Sequence, residues 1–291
     1  MKGSIYIYCP KKGVTLSTNE LRRIIQCASK NSISTVTVNL GRDEIEIKRL
    51  GSLIMLGNFQ VNLERLQEVL RSASDDCCVF LSGEHVYKIA FYREGRYYKL
   101  KNVGENLAPT LEISGIHMHN IVGTDPWSDA KCKVGLLGLK KGETVLDVCT
   151  GLGYTASHAV MRGTEVVTIE ADPVVLEIAE HNPWSSLLAH PNVTVILGDA
   201  FEVLDDLPEN SFHAAIHDPP TFKLAGELYS LEFYKKLRRV LKREAKVFHY
   251  TGWPGKHRGR DVQRGVIRRM RAAGFRVLKA IKGYGIVAKA V

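Results

Sequence analysis

Asp218-Pro219-Pro220-Thr221-Phe222 is a short stretch that offers hydrogen-bond acceptors and almost no donors. Two prolines fix φ near about −65° and remove two backbone N–H groups. What remains to meet a ligand is the Asp218 carboxylate and a proline carbonyl, a set that suits a substrate amino group. Upstream, Asp147 precedes Gly151-Leu-Gly153-Tyr154, where two glycines let the backbone approach a ligand and a following helix presents unbonded N–H groups. Glu170 lies nineteen residues beyond Gly151, a spacing at which an acid accepts from both hydroxyls of a ribose. Gly198-Asp199-Ala200 adds a third polar edge. Together these residues point to a nucleotide-like cofactor held beside an amine.

Elements of one kind must position them. Thr144 to Val148, Val166 to Glu170, Val193 to Leu197 and Phe212 to His217 are short apolar runs, each ending in a glycine-rich or acidic stretch. They read as buried strands whose C-terminal ends share one edge of a parallel sheet. Helical spacing follows from Tyr154 to Met161, Pro173 to Asn182, Glu227 to Leu241 and Arg260 to Ala273, and Asp125 with Pro126 marks the start of a helix running to Leu137. Ala245 to Tyr250, Phe275 to Ile281 and Gly285 to Ala290 complete the sheet. Residues 1–110 read differently, as a small β-rich α+β accessory domain; Ser17 and Glu20 fit a capping box for a helix ending near Ala28. The remaining residues, 111–291, form the second domain.

The set Asp147…Gly151-x-Gly153, Glu170, Gly198-Asp199 and Asp218-Pro-Pro-x-Phe222 resembles the class I S-adenosylmethionine-dependent methyltransferases over about residues 115–291. It is similar in particular to a family of archaeal methyltransferases that share Asp-Val-Cys-Thr-Gly-Leu-Gly-Tyr-Thr-Ala, and Asp-Pro-Pro-Thr-Phe is similar to a motif of some ribosomal RNA methyltransferases. The resemblance implies an α/β, Rossmann-like, mostly parallel sheet with an antiparallel last strand. It also implies S-adenosylmethionine as cofactor. Asp147 would orient the loop, and Gly151, Gly153 and the Tyr154 N–H would pack on the methionine moiety. Glu170 would hold the ribose, Asp199 and Ala200 the adenine, and Thr124 and Asp125 would close over the methionine part. Asp218, Pro219, Pro220 and Phe222 become the catalytic candidates. In the related amino-methyltransferase motif the aromatic directly follows the second proline; here Thr221 stands there and Phe222 comes one later. A dinucleotide fingerprint would also accept Ala156 as its third position, but Asp147, Asp199 and Asp218 in register favour the methyltransferase set.

Charge bears on the partner. The chain has 40 lysines and arginines against 31 acids, a net charge of +9 with neutral histidines. A basic balance of this size favours a polyanion. Arg260, Arg264, Arg268 and Arg271 recur at helical spacing, with Asp261 the sole acid from Lys256 to the end, as a surface tracking RNA phosphates would. The first 110 residues hold 16 cations and 11 acids, so an RNA-recruiting role competes there with a structural cap or dimerisation role. Six cysteines without a paired spacing read as reduced thiols of a cytoplasmic protein. No apolar run of about 18 residues suggests a membrane span. His117 and His119 lack a third ligand of suitable spacing, so no metal is expected. The expected function is methyl transfer to an exocyclic amine in structured RNA, ribosomal RNA and cytosine N4 preferred. Methyl or aminopropyl transfer to a small-molecule amine, and a non-catalytic RNA-binding protein, are the alternatives.

Overall fold

The computed structural model describes residues 2–29, 33–83, 85–222, 224–252 and 262–291. The chain divides into two units: Met1–Tyr8, Ala130–Pro173 and Leu187–Val291 form the first, Cys9–Asp129 and Val174–Ser186 the second.

In chain order the strand β1 (Ser4–Tyr6) opens the first unit, and the second unit follows. It contains β2 (Val14–Ser17), α1 (Thr18–Ala28), β3 (Ser34–Val38), β4 (Asp43–Leu50), β5 (Leu53–Leu56), β6 (Phe59–Asn62) and α2 (Leu63–Ser72). It continues with β7 (Cys78–Ser82), β8 (His85–Lys88), β9 (Ala90–Arg93), β10 (Arg96–Lys101), β11 (Thr110–Ile113) and β12 (Ile116–His117). These strands form three small antiparallel sheets, β3-β4-β5-β6, β2-β7-β8 and β9-β10-β11-β12. The capping box is present as read: the Ser17 N–H donates to Glu20 Oε2 at 2.7 Å and the Glu20 N–H to Ser17 Oγ at 3.1 Å. The amphipathic α1 and α2 bury Leu21, Ile24, Leu66 and Val69 against Val36, Ile47 and Ile54 of the strands.

The units part elsewhere than at residue 110. Strands β11 and β12 continue the sheet begun by β9 and β10, because Leu100 pairs with Leu111 and Ile113 with Ile116. Residues 174–186 also belong to the second unit, where Arg93 pairs with Glu177 at 2.6 Å and the Tyr87 hydroxyl lies 3.0 Å from His181 Nε2. This redistributes the charge. The second unit carries 15 lysines and arginines against 16 acids, the first 25 against 15.

After α3 (Pro126–Gly135) come β13 (Thr144–Val148), α4 (Tyr154–Val160), β14 (Glu165–Glu170), α5 (Pro173–His181), a 3-10 turn (Pro183–Ala189), β15 (Val193–Leu197), α6 (Ala200–Asp206) and β16 (Phe212–His217). The chain ends with a 3-10 turn (Gly226–Tyr229), α7 (Leu231–Val240), β17 (Leu241–Tyr250), α8 (Val262–Ala272), β18 (Phe275–Ile281) and β19 (Gly285–Ala290). The described strands of the first unit form one sheet in the order β1-β15-β14-β13-β16-β17-β19-β18. Strands β13 to β17 are parallel, and β19 runs antiparallel to β17, as the resemblance implies. The helix expected from Glu227 starts later, at Leu231, where Ser230 Oγ accepts from the Phe233 N–H at 3.0 Å.

Strand β1 departs from expectation. Instead of joining the N-terminal domain, it pairs antiparallel with β15 at the edge of the large sheet, Ser4 opposite Leu197. The close approach is made by two glycines: a Cβ on Gly198 would stand 2.9 Å from Gly3 Cα. Among the described residues no helix is long and apolar enough to cross a membrane.

Candidate functional site

The residues at the C-terminal ends of β13, β14 and β16 gather into one site. Val148 closes β13, and the next two N–H groups, of Cys149 and Thr150, both bond to the Ile169 carbonyl at 3.0 and 2.9 Å. This ties the start of the glycine loop to β14. Gly153 has φ 73° and serves as the N-cap of α4 without a side-chain cap. A Cβ there would lie 2.6 Å from Leu188, so the position admits only glycine. Tyr154 follows as a buried first helical residue.

Asp147 lies beneath this loop and is wholly buried. Its Oδ2 accepts from Thr168 Oγ1 at 2.8 Å, and Thr168 Oγ1 is 2.6 Å from Thr150 Oγ1, a chain of three side chains from strand to loop. Its Oδ1 has no hydrogen-bond partner among the described residues. Burial pushes the carboxyl up to about 7, against the hydrogen bond from Thr168. Glu170 is raised for the same reason, burial, partly offset by backbone N–H donors. Its Oε2 accepts from the Gly151 N–H at 2.9 Å and its Oε1 from the Asp172 N–H at 3.1 Å. The acid therefore clamps the glycine loop, and a carboxylate has more acceptor sites than these two donors fill. Asp199 is exposed, and Oδ1 caps α6 through the Phe201 N–H at 2.8 Å. Ala200 is the buried first residue of that helix.

Asp218 follows β16 directly, and its environment was not legible in advance. Lys133 Nζ lies 2.6 Å from Asp218 Oδ2, with a side chain only 4% exposed. The same ammonium stands 4.3 Å from the centre of the Tyr250 ring. Nothing local marks Lys133 in sequence; it comes from α3, 85 residues away. One of the two proline carbonyls is already engaged. The Tyr229 hydroxyl donates to the Pro220 carbonyl at 2.8 Å, which leaves Pro219 as the other proline acceptor. The Phe222 ring is 52% exposed and sits edge-on to Tyr229, 5.4 Å between centres.

Two histidines lie behind the acceptor loop, in register on β16 and β17. His217 Nε2 donates to the Leu228 carbonyl at 2.9 Å, while His249 Nδ1 donates to the His217 carbonyl at 3.3 Å. His249 Nε2 accepts from the Tyr234 hydroxyl at 2.9 Å. Burial lowers both, His217 to about 4. They are neutral structural groups near neutral pH. Burial also raises the Cys149 thiol well above its ordinary range, which keeps it from acting as a thiolate nucleophile.

The other expected residues belong to other elements. Thr124 and Asp125 belong to the second unit, where Asp125 Oδ1 caps α3 by accepting from the N–H groups of Trp127 and Ser128 at 3.0 Å each. Arg264, Arg268 and Arg271 are exposed on α8, with Val266 and Met270 buried on its other face. Arg260 lies outside the described residues. Of the two histidines weighed for a metal, His117 bonds to Glu112 at 3.1 Å and His119 to Thr110 at 3.0 Å.

The chain is similar to the uncharacterized protein MJ1233 of Methanocaldococcus jannaschii, 42% identical over 249 residues that make up 85% of this chain and 84% of that one. The profile of the Protein-L-isoaspartate(D-aspartate) O-methyltransferase (PCMT) family matches residues 103–217. A putative ribosomal RNA large subunit methyltransferase of the same organism, MJ1649, is 36% identical over 86 residues, 29% of this chain and 22% of that protein. A crystal structure of spermidine synthase in complex with the transition state analogue AdoDATO aligns over 90% of this chain and 80% of its own, with a TM-score of 0.58 at 15% identity, a likeness of fold alone.

Proposed function

Because the chain belongs to the family of the M. jannaschii protein MJ1233 and has the class I S-adenosylmethionine-dependent methyltransferase fold, we propose that it methylates an exocyclic amine of a base in structured RNA. Ribosomal RNA is the preferred target and cytosine N4 the preferred atom. The observation that carries this reading is the acceptor loop at Asp218, in a unit of net charge +10 whose helix α8 turns Arg264, Arg268 and Arg271 outward.

The cofactor is S-adenosylmethionine, and the residues present fit it. The loop at Gly153 has no room for a side chain, Glu170 and Asp199 offer acceptors for hydroxyl and amino groups, and Asp147 holds a buried oxygen without a partner. Thr124 and Asp125 are retained as part of this reading. The cofactor supplies an electrophilic methyl group; the rest falls to the chain. An exocyclic amine is a poor nucleophile because its lone pair is delocalised into the ring. Asp218 and the Pro219 carbonyl would accept its N–H groups, draw the nitrogen toward tetrahedral geometry and stabilise the positive charge that develops on it. Phe222 offers a half-exposed ring to a base that has left its stack. Lys133, through its 2.6 Å contact, holds the Asp218 carboxylate in one orientation.

A labelled transfer assay with ribosomal RNA, followed by nucleoside mass spectrometry, tests the reading. N4-methylcytidine is the expected product, and a C5-methylated pyrimidine contradicts it. Glu170→Ala is expected to weaken cofactor binding by about 1–3 kcal/mol, since it removes an acceptor and frees the Gly151 N–H. Calorimetric titration checks this, and unchanged affinity removes Glu170 from the site.

Replacing Arg264 and Arg268 together is expected to flatten the slope of log affinity against log salt by up to about two units, as two lost phosphate contacts would. An unchanged slope makes the stripe a solvated surface. The second unit has a net charge of −1, so the excess of positive charge lies in the first.

A second reading, transfer to a small-molecule amine, has one specific observation in its favour: Lys133 already seats an alkylammonium between Asp218 and the Tyr250 ring. The charge of the unit opposes it, because a free polyamine is repelled where RNA is attracted. Competition between RNA and a polyamine for the labelled group separates the two.

A further inference from the structure

Helix α8 has a second, inward connection that the arginine stripe conceals. Arg264, Arg268 and Arg271 face solvent, but Arg269 turns in and its Nε donates to the Tyr229 carbonyl at 2.6 Å. Tyr229 is 3% exposed and holds two parts of the acceptor loop: its hydroxyl donates to the Pro220 carbonyl and its ring supports Phe222 edge-on. The Arg269 guanidinium also acts on the Tyr234 hydroxyl, its positive charge opposing the rise that burial imposes. That hydroxyl donates to His249, and His249 donates to the His217 carbonyl. The two branches end on His217 and Pro220, the residues that bracket Asp218-Pro219. We infer that Arg269 and Tyr229 are positioning residues that lock the acceptor loop and tie its geometry to the helix whose outer face carries the basic stripe.

Physical chemistry supports this. Pro219 and Pro220 have no N–H groups, so the loop cannot anchor itself through its own donors there. A carbonyl fixed from outside is the alternative, and a buried phenol held neutral by burial remains a donor across the working pH range. Arg269 can serve both branches because a guanidinium presents several donors in a fixed plane, which an ammonium cannot reproduce.

The inference rests on the RNA reading only for the meaning of the outer stripe, and its test has a readout independent of the acceptor. Tyr229→Phe keeps the ring and removes the hydroxyl; Arg269→Lys keeps the charge and removes the fork. In both, hydrogen exchange of the Leu224 and Ala225 amides, which bond to the Thr221 carbonyl, is expected to speed up by about tenfold. Exchange of Cys149 and Thr150, bonded to Ile169, is expected to stay as in the parent.

Single-turnover methyl transfer to ribosomal RNA is expected to fall by about tenfold with KM for RNA within about twofold, a split that a merely destabilised fold would not give. The double variant is expected to be no slower than the worse single one, because both act through one chain of bonds. Loop exchange equal to the parent in both variants overturns the inference, as does a rate equal to the parent or strictly additive losses. A parent that methylates no RNA overturns the acceptor assignment instead, and the exchange result then stands by itself.

Discussion

Asp218→Asn is expected to lower the single-turnover rate by about a hundredfold or more while cofactor affinity stays within about twofold. The loss is that of a contact made chiefly as charge develops on the amine, so kcat falls and binding does not. Asparagine is preferred to alanine because Lys133 is almost fully buried against this carboxylate. Both substitutions remove the charge, but asparagine keeps an amide oxygen to accept from that ammonium, whereas alanine would leave it with no acceptor there and mix more instability into the kinetics. Rapid-quench transfer assays and a calorimetric titration of the same preparation separate the two quantities. A fully active Asp218→Asn variant, or a C5-methylated product from the parent, removes Asp218 from its role.

The second large effect concerns stability. Burial raises the Asp147 carboxyl from 3.8 to about 7. The folded protein then holds the proton to higher pH than the unfolded chain does, so stability is fully present below about pH 4 and is lost as pH rises through about 7. At about 1.4 kcal/mol per pH unit, the loss across that window is about 4 kcal/mol. Asp147→Asn has no proton to lose. Urea midpoints measured from pH 4 to pH 8 are expected to show the parent falling by about this amount relative to the variant. Parallel curves mean that Asp147 stays ionised throughout. An acid kept at such a cost, with one oxygen unpartnered beneath the glycine loop, breaks the rule that buried polar groups are satisfied, as functional sites do.

What was legible in the sequence was local or periodic. The glycine loop, the acids that end β14 and begin α6, the capping box at Ser17 and the two faces of α8 all depend on neighbours within a turn or a strand. The parallel sheet followed from apolar runs, because strands covered on both faces leave no other pattern. The parts that were not legible depend on distant partners. The seat of Lys133 on Asp218 joins residues 85 apart, and a lysine on an ordinary helical pattern gives no sign that it will be buried. The sequence leaves either proline carbonyl open as an acceptor, and only the fold brings the Tyr229 hydroxyl onto that of Pro220. The excess of positive charge in residues 1–110 disappeared from the second unit once β1 left it and residues 111–129 and 174–186 joined it.

The pairing of β1 with β15 has a consequence for synthesis. Ser4 and its partner Leu197 are 193 residues apart, with much of the second unit between them. At about 5–20 residues per second, a ribosome takes about 10–40 s to make that interval. Over this time β1 waits outside the ribosome without the strand it pairs with, while α1, α2 and their small sheets have all the partners they need to fold. Strand β1, made long before β15, is therefore among the last of the described strands to be placed. A chaperone that binds short extended segments should meet this protein at β1, and a bulky group placed at Gly3 should slow maturation of the large sheet while sparing the smaller ones.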